Sequence, residues 1–362
     1  MKSTLMQVDV IIGLSAGDEG KGKITHHLCK SGKYNLVLRG SGGPNAGHTI
    51  YHEGKKYVTH LVPAGIFFGI PSLIGPGCVL DLTKLFAECN MLHDAGFDVK
   101  SLLRIDHRAH IITSAHREQD AKDCEVNGIG TTKCGIGPAY RDKYERTGIT
   151  FGKLIDDYYA EQADDTFDGS LVPHFAGMRV DTFDELHRAE HDIVALYEGA
   201  QGHELDIDWG DYPYVTSSHT TLAGALLNGI PHNVVDKVYG VIKAYETYVG
   251  DKKFHNHCGL TTAIQEIGDE YGATTGRRRQ VDFLHIPRVI KACIINGVTD
   301  LIVNKCDVLS EAVADTQEFP YYFDGVQCNA PTLELWKQQV TAHILRDTNV
   351  ASIQFSYNPH EI

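Results

Sequence analysis

The chain has 362 residues, of which 42% are hydrophobic and 22% are charged, and its formal net charge is −14. This length permits a large buried core. The net negative charge disfavours binding to nucleic acid or to an anionic membrane through an extended positively charged surface. Any phosphate group must therefore be bound by a few residues of one local site. The nine cysteines follow no repeated spacing, which is typical of reduced thiols in a cytoplasmic protein.

Short apolar runs alternate with longer mixed segments along the chain. This pattern predicts an α/β fold of one domain over residues 1–362. We expect a central, largely parallel sheet flanked by helices, P-loop-NTPase-like, with loop and small helical elaborations. The predicted strands are Val8–Ile12, Asn35–Arg39, Leu73–Ile74 with Cys78–Val79, Ile193–Tyr197, Val238–Lys243 and Leu301–Asn304.

One helix is predicted over residues 81–97, because its apolar residues fall on one stripe and Gly96 stands where a C-terminal cap is expected. The stripe consists of Leu82, Leu85, Phe86, Cys89 and Leu92. Residues 150–190 are polar and acidic, which predicts surface helices and loops.

Two segments of the chain bear on export and membrane insertion. The N-terminus lacks the apolar stretch of a signal peptide. Residues 61–80 contain no charged residue, but Pro63, Pro71 and Pro76 divide them into pieces of strand length. We therefore expect a cytoplasmic protein without a membrane helix.

The segment GLSAGDEGKGK, residues 13–23, follows the first strand and is rich in glycine. Its N–H groups and the helix after it can form an anion site. It is not a standard P-loop, because no Ser or Thr follows Lys21 or Lys23, and it carries the carboxylates of Asp18 and Glu19. An ordinary strand–turn–helix junction is the alternative.

Two further glycine-rich loops follow. Residues 40–50 carry Asn45, His48 and Thr49 after the second strand, so both loops should meet at one sheet edge. Residues 127–148 offer the hydroxyls of Thr131 and Thr132, and Lys143 and Arg146 lie there as candidate phosphate partners.

The second half of the chain adds other polar loops. Gln201 can read a base edge, and three consecutive arginines from Arg277 suit a dicarboxylate or a phosphate. Asp307 ends the motif NKCD, in which a carboxylate can accept from guanine N1–H and the 2-amino group. The run HNHC, residues 255–258, lacks a second ligand cluster, so a polar loop is favoured over a metal site.

Taken in order, these motifs resemble the adenylosuccinate synthetase family. The matching stretches are GDEGKGK, NAGHT, IGTTKCGIGPAYRDKYERTG, EGAQG with LDID and YPYVTSS, GATTGRRR, and NKCD. The resemblance implies a ligase that condenses L-aspartate with IMP at the expense of GTP, through a 6-phosphoryl purine. It also implies Mg²⁺ as cofactor.

The resemblance implies a role for each matching residue. Asp18 would be the catalytic base and, with the Gly47 carbonyl, a ligand of Mg²⁺. His48 would be the acid, Lys21 would contact phosphate, and Gln201 would read the base 6-oxygen.

Three groups of binding residues follow from the same resemblance. The purine monophosphate would be bound by Asn45, Thr131, Thr132, Gln201, Thr216, Val249 and Arg146, the last supplied by the other subunit of a homodimer. Aspartate would be bound by Thr274, Thr275, Arg277 and Arg279. The triphosphate would be bound by Gly17, Glu19, Gly20, Lys21, Gly22, Lys23, Gly47, His48, Thr49, Lys305, Asp307 and Ser356.

This sequence departs from the family pattern around the nucleotide pockets. Ser15 and Ala16 stand where the family has Gln-Trp, Pro44 is unusual in its loop, and Tyr248 replaces an arginine. A phage-encoded branch of the family uses dGMP, and the room left by Ala16 suits a 2-amino group. We therefore expect dGMP as the leading substrate, in host cytoplasm if phage-encoded, with IMP as the alternative and GTP, ATP or dATP as donor.

Two readings of another class stay open, a GTP-binding switch and a non-catalytic nucleotide sensor. The motif GATTGRRR has no use in a switch, and the intact Asp18 and His48 are not expected in a sensor.

Overall fold

The computed structural model describes residues 5–127, 131–162, 169–250, 252, 258–272 and 276–358. The strands are β1 (Met6–Gly13), β2 (Leu36–Arg39), β3 (His48–His52), β4 (Lys55–Thr59), β5 (Ser72–Ile74), β6 (Val79–Leu80), β7 (Leu103–Asp106), β8 (His110–Ile111), β9 (Arg179–Val180), β10 (Ile193–Glu198), β11 (Val235–Lys243), β12 (Tyr245–Tyr248), β13 (Gln280–His285), β14 (Asp300–Asn304), β15 (Phe319–Phe323), β16 (Val326–Ala330) and β17 (Ser352–Phe355).

The helices are α1 (Lys21–Lys30), α2 (Leu82–Asp94), α3 (Val99–Leu102), α4 (Ser114–Asn127), α5 (Ile136–Glu145), α6 (Phe151–Tyr159), α7 (Val172–Phe175), α8 (Thr182–His187), α9 (Leu222–Leu226), α10 (Gly259–Ile267), α11 (Ile286–Asn296), α12 (Cys306–Ala312) and α13 (Leu333–Asp347). Short 3₁₀ turns join several of them, including one at Ala64–Phe68.

A nine-stranded sheet forms the centre of the fold, in the order β17-β14-β11-β1-β10-β2-β5-β7-β9. Every neighbouring pair in it is parallel, which confirms the predicted α/β class. Both faces are covered: Val8, Val10 and Ile12 pack into one hydrophobic cluster, and Ile11 packs into another on the opposite face. The loops that follow β1, β2, β10, β11 and β14 therefore share the carboxyl edge of the sheet.

The predicted strands are confirmed as elements, with one difference. The sequence pattern groups Cys78–Val79 with Leu73–Ile74, but Val79–Leu80 forms β6, which pairs with β8 in a separate two-stranded sheet. The turn at Gly75 to Gly77 carries the chain out of the central sheet, and Asn228 accepts a hydrogen bond from the Gly77 amide (3.2 Å) in that turn. A short apolar run alone does not specify which sheet it joins.

The predicted helix at 81–97 is α2. Asp81 caps it by accepting from the Lys84 amide (3.1 Å), and Gly96 adopts a φ of 95° just after it. Leu85 and Leu92 are fully buried on its inner face. Glu88 shares that face, and its buried carboxylate accepts from the backbone amides of residues 60, 61 and 62.

Residues 150–190 differ from the surface segment predicted for them. The described part forms α6, α7, α8 and the edge strand β9, and Phe151, Leu154, Val172 and Phe175 are buried in a second core with α2. Polar residues make up most of this segment, so its average composition does not reveal the apolar face of each helix. In the described chain no helix is both long and apolar enough to cross a membrane.

Two smaller sheets complete the fold. β3 and β4 form an antiparallel hairpin beside α1, and β12-β13-β15-β16 form a mixed sheet. All eight cysteines whose side chains are described are free thiols.

Candidate functional site

A cleft of about 740 Å³ opens at the carboxyl edge of the central sheet. This volume lies within the range of small-molecule sites. The loop after β1, the loop after β2, the start of α12 and the turn after α10 supply most of its wall. Its cationic side chains are Lys21, Lys23, Lys56, Lys243, Arg279 and Lys305. Its acidic side chains are Asp18, Glu19, Asp269 and Asp307.

The loop after β1 is held in shape by its own carboxylate. Glu19 is buried and accepts from the amides of Ser15 (3.1 Å) and Gly17 (2.9 Å), and from Lys21 Nζ (2.6 Å). Gly20 has a φ of 96°, and a Cβ there would lie 2.9 Å from Asn304 Nδ2, so only glycine fits. α1 begins at the next residue, and its amide end faces the cleft as the sequence predicts.

Asn304, at the end of β14, connects this loop to the NKCD motif. Its Nδ2 donates to the Glu19 carbonyl (2.8 Å), and its Oδ1 accepts from Lys23 Nζ (3.3 Å). Lys23 also donates to Ser356 Oγ and to the Asn358 carbonyl (2.7 Å). Lys305 and Asp307 follow on the cleft wall. The first and last predicted nucleotide motifs thus meet through direct hydrogen bonds.

Asp18 lies at the open end of a chain of four charged side chains. Its Oδ2 accepts from Arg279 Nε (2.8 Å), whose Nη1 donates to Glu270 Oε2 (2.5 Å). Glu270 also accepts from Lys243 Nζ (2.8 and 3.0 Å) and from Tyr245 Oη (2.6 Å). Burial raises the pKa of Glu270, but Lys243 and Arg279 outweigh it and hold that pKa at about 2.

His48 is buried at the start of β3, and its Nδ1 contacts Glu198 Oε1. Glu198 ends β10 and also accepts from the Ala64 amide (2.8 Å). Burial lowers the pKa of His48, against the pull of Glu198, which favours the neutral ring. We assign the Nδ1 hydrogen to the bond with Glu198. The Nε2 atom has no hydrogen-bond partner within the described part of the chain.

Three other predicted ligand residues, Gln201, Asn45 and Thr132, also line the cleft. Gln201 Nε2 donates to Asn45 Oδ1 (3.1 Å), and Gln201 Oε1 accepts from Ser218 Oγ (3.4 Å). Thr132 lines the cleft beside them. Gln201 has a φ of 57°, an uncommon conformation for a residue with a Cβ, which fixes its amide next to the loop after β2.

The structure brings most of the predicted residues together. The predicted residues on the cleft wall are Gly17, Asp18, Glu19, Gly20, Lys21, Gly22, Lys23, Asn45, Gly47, His48, Thr49, Thr132, Gln201, Val249, Arg279, Lys305 and Asp307.

Other predicted residues lie off this wall. Thr131 donates to Asp120 (2.8 Å), Ser356 is buried behind Lys23, and Thr216 donates its amide to the Leu205 carbonyl (2.8 Å). Arg146 and Arg277 are exposed. The predicted ligands Thr274 and Thr275 are outside the described residues, as are His255 and His257 of the HNHC run.

Sequence reasoning missed Glu198, Lys243, Glu270 and Asn304. Glu198 and Lys243 each end an apolar strand, where polar side chains reach the sheet edge, and this position could have identified them. Glu270 gives no such signal, because it lies in a turn before the arginine motif and accepts from Lys243 and Tyr245, which are 27 and 25 positions before it.

One group of possible metal ligands was also not predicted, namely Asp206, Asp208 and His219. Both oxygens of Asp206 already accept backbone amides, from Asp208 and Thr220 among others. The carboxylate therefore has a structural role in its turn.

The chain was compared with known proteins. The sequence model of the adenylosuccinate synthetase family matches residues 10–170 and 168–315. The adenylosuccinate synthetase of Bacteroides fragilis is 39% identical over 334 residues, covering 84% of this chain and 78% of its own. That of Geobacillus kaustophilus is 40% identical over 334 residues, covering 83% of this chain and 77% of its own.

Two solved structures resemble the fold. Fully ligated adenylosuccinate synthetase from Plasmodium falciparum superposes with a TM-score of 0.85 at 27% identity, covering 99% of this chain and 98% of its own. Succinoaminodeoxyadenylate synthetase of cyanophage S-2L, bound to dGMP and dATP, gives a TM-score of 0.72 at 21% identity, with 98% and 93% coverage. The second likeness is one of fold. Because the family model spans most of the chain and close relatives cover it, the chain belongs to the adenylosuccinate synthetase family and is a ligase that forms C–N bonds.

Proposed function

We propose that the cleft joins L-aspartate to C6 of IMP, driven by GTP. The observation that carries this proposal is that Asp18 and His48 line the same cleft as the NKCD residues Lys305 and Asp307 and as Gln201 with Asn45. The curated relatives are adenylosuccinate synthetases, so they support IMP better than the dGMP reading that the sequence suggested.

In the proposed reaction Asp18 accepts the N1 proton of the purine, which makes O6 nucleophilic. O6 attacks the γ-phosphorus of GTP and GDP leaves. The aspartate nitrogen then attacks C6, inorganic phosphate leaves with O6, and the nitrogen loses a proton to solvent. His48 faces the phosphates through its Nε2, while Glu198 fixes the ring through Nδ1. A bound phosphate would raise the pKa of His48, so that the ring can donate to the transferring group.

The donor set of the cleft fits Mg²⁺. Asp18 offers a carboxylate and Gly47 a backbone carbonyl on the same wall, and oxygen ligands of this kind suit a hard cation. The ion would neutralise triphosphate charge when bound. Asp18 would hold it, and Lys21 and Lys23 at the start of α1 would face the remaining phosphate charge.

We assign guanine to Asp307 and Lys305, the purine monophosphate to Asn45, Thr132 and Gln201, and an aspartate carboxylate to Arg279, all of which line the cleft. Arg277 is assigned to aspartate by its match to the family motif alone, because it lies off the cleft wall.

A second candidate substrate, dGMP, is favoured by one feature. Ala16 and Tyr248, which replace a tryptophan and an arginine of the family pattern, both line the cleft. The small side chain leaves room near a 2-amino group, and the loss of a guanidinium removes a donor to a ribose hydroxyl.

Substrate choice is tested by turnover of IMP, GMP and dGMP with aspartate, Mg²⁺ and either GTP or ATP. We expect IMP with GTP to give the highest kcat/KM. If Ala16 and Tyr248 have instead retuned the pocket, dGMP exceeds IMP by about tenfold or more, since one polar contact changes specificity by that amount. Ala16→Trp should then shift the preference back toward IMP. Turnover without aspartate would contradict the ligase assignment.

We also propose a homodimer with a shared site. Arg146 matches a monophosphate contact, yet it is exposed and lies off the cleft of its own chain. Tyr144, Trp209 and Tyr212 are exposed aromatic residues, and Tyr144 Oη lies 3.4 Å from His219 Nε2 in the segment that follows Tyr212. Exposed aromatic side chains of this kind are enriched at protein interfaces.

Mixed dimers test the shared site. Arg146→Ala and Asp18→Ala should each be nearly inactive alone, whereas a mixture that exchanges subunits should regain activity. One site of each mixed dimer then carries neither lesion. Activity is measured after denaturation and co-refolding, with mixed dimers verified by two affinity tags. Verified mixed dimers without recovery would contradict the shared site.

A further inference from the structure

Four charged side chains form one connected group beside the cleft: Lys243, Glu270, Arg279 and Asp18. Glu270 is fully buried, and Lys243 and Arg279 have side-chain exposures of 4% and 12%. Asp18 is the most open member, at 28%. Charges buried this far are stable only when they are paired and hydrogen-bonded.

The charges of this group balance as it stands. Two cations face two carboxylates in the order Lys243, Glu270, Arg279, Asp18, and each neighbouring pair is joined by a hydrogen bond of 3.0 Å or less. If Asp18 turns to a metal ion, Lys243 and Arg279 face Glu270 alone. The group then has one excess positive charge, centred on the guanidinium that Asp18 has left.

Arg279 is fixed in place from the Glu270 side. Its Nη1 donates to the Glu270 carboxylate and its amide donates to the Glu270 carbonyl (2.8 Å). Glu270 is in turn held by Lys243 on β11 and Tyr245 on β12. The guanidinium can therefore exchange its partner at Nε without losing its own position.

We propose that Glu270 is a positioning residue for Arg279, and that the Arg279–Asp18 ion pair is exchanged on binding: the metal–triphosphate takes Asp18 and the carboxylate of the amino acid takes Arg279. This inference rests on the proposed function. Each ligand removes the competitor of the other, so each raises the affinity of the other by the same factor. A cleft without the metal–triphosphate keeps Arg279 occupied and binds aspartate weakly.

The decisive variant is Asp18→Asn, which removes the competing charge and keeps the shape. L-aspartate is titrated calorimetrically into enzyme saturated with IMP, with or without Mg²⁺ and guanosine 5′-(β,γ-imido)triphosphate, so that no turnover occurs. In wild type the metal and the analogue should tighten aspartate binding about five- to tenfold. In Asp18→Asn aspartate should already bind about that much more tightly without them, and their addition should change little.

Asp269→Asn is the matched control. It removes one carboxylate from the same cleft, but Asp269 is not the residue that contacts Arg279. A general loss of negative charge would tighten aspartate binding equally in both variants, and that result would overturn the exchange. Unchanged aspartate affinity in Asp18→Asn would overturn it as well.

Glu270→Gln tests the positioning role separately. It keeps an acceptor oxygen but removes the charge that holds Arg279, so the aspartate KM should rise about tenfold while the IMP KM changes little. An equal rise of both KM values would indicate a structural role only. If the wild-type enzyme turns over aspartate but Asp18→Asn binds aspartate no more tightly than wild type, the exchange is rejected and the proposed function stands. If the wild-type enzyme neither binds nor turns over aspartate, the proposed function is rejected.

Discussion

Asp18→Ala is expected to lower kcat/KM by about 10⁴-fold or more. The variant loses the proposed base and a ligand of the metal together, and base catalysis alone contributes about 10²–10⁴-fold. Arg279 keeps its bond to Glu270 in this variant, so the cleft should keep its shape. The measurement is steady-state release of phosphate with saturating aspartate and IMP.

Two controls separate this effect from a general disturbance. IMP affinity, measured by calorimetry, should stay within a few-fold of wild type, and Asp269→Asn should lose far less activity than Asp18→Ala. Near-normal turnover of Asp18→Ala would remove Asp18 from the reaction.

The largest expected loss of stability follows from Glu88→Ala. The Glu88 carboxylate accepts from the amides of His60 (2.9 Å), Leu61 (3.2 Å) and Val62 (2.8 Å), and it is only 6% exposed. Without it three amides lose their acceptor, and at roughly 1 kcal/mol or more for each the free energy of unfolding should fall by about 3 kcal/mol. Chemical denaturation measures the change.

Glu118→Ala on α4 is the matched control, because Glu118 is an exposed helical glutamate. Its effect should stay within about 0.5 kcal/mol, as for other surface substitutions. Glu88→Gln should fall between the two, since its amide keeps one acceptor oxygen. If Glu88→Ala lowers the free energy of unfolding as little as Glu118→Ala does, water replaces the carboxylate as acceptor for the three amides.

The sequence predicted the parallel sheet and most of the cleft wall for one physical reason. Strands buried on both faces read as apolar runs, as at Val8–Ile12, and glycine-rich polar loops after them must meet at the carboxyl edge. Such information is local to the chain. The capping of α2 by Asp81 and Gly96 is local in the same way.

The missed residues depend on contacts between distant segments. Glu198 lies 150 positions from His48, and Glu270 receives bonds from residues 25 and 27 positions before it. No spacing rule connects such residues. The buried face of residues 151–175 was missed for a different reason, because a few apolar side chains at helical spacing suffice to bury a segment whose average composition is polar.

The Glu19 carboxylate has a consequence for selectivity among anions. Because it already accepts from two loop amides and from Lys21, the loop keeps its ligand-ready shape without a ligand, and little conformational entropy is lost on binding. The same carboxylate neutralises most of the attraction that Lys21 would exert on a small free anion. Inorganic phosphate, which makes few other contacts, should therefore occupy the loop poorly at cellular concentrations. In the proposed reaction a triphosphate with its metal and base would make further contacts in the cleft, so we expect the loop to favour the donor over inorganic phosphate.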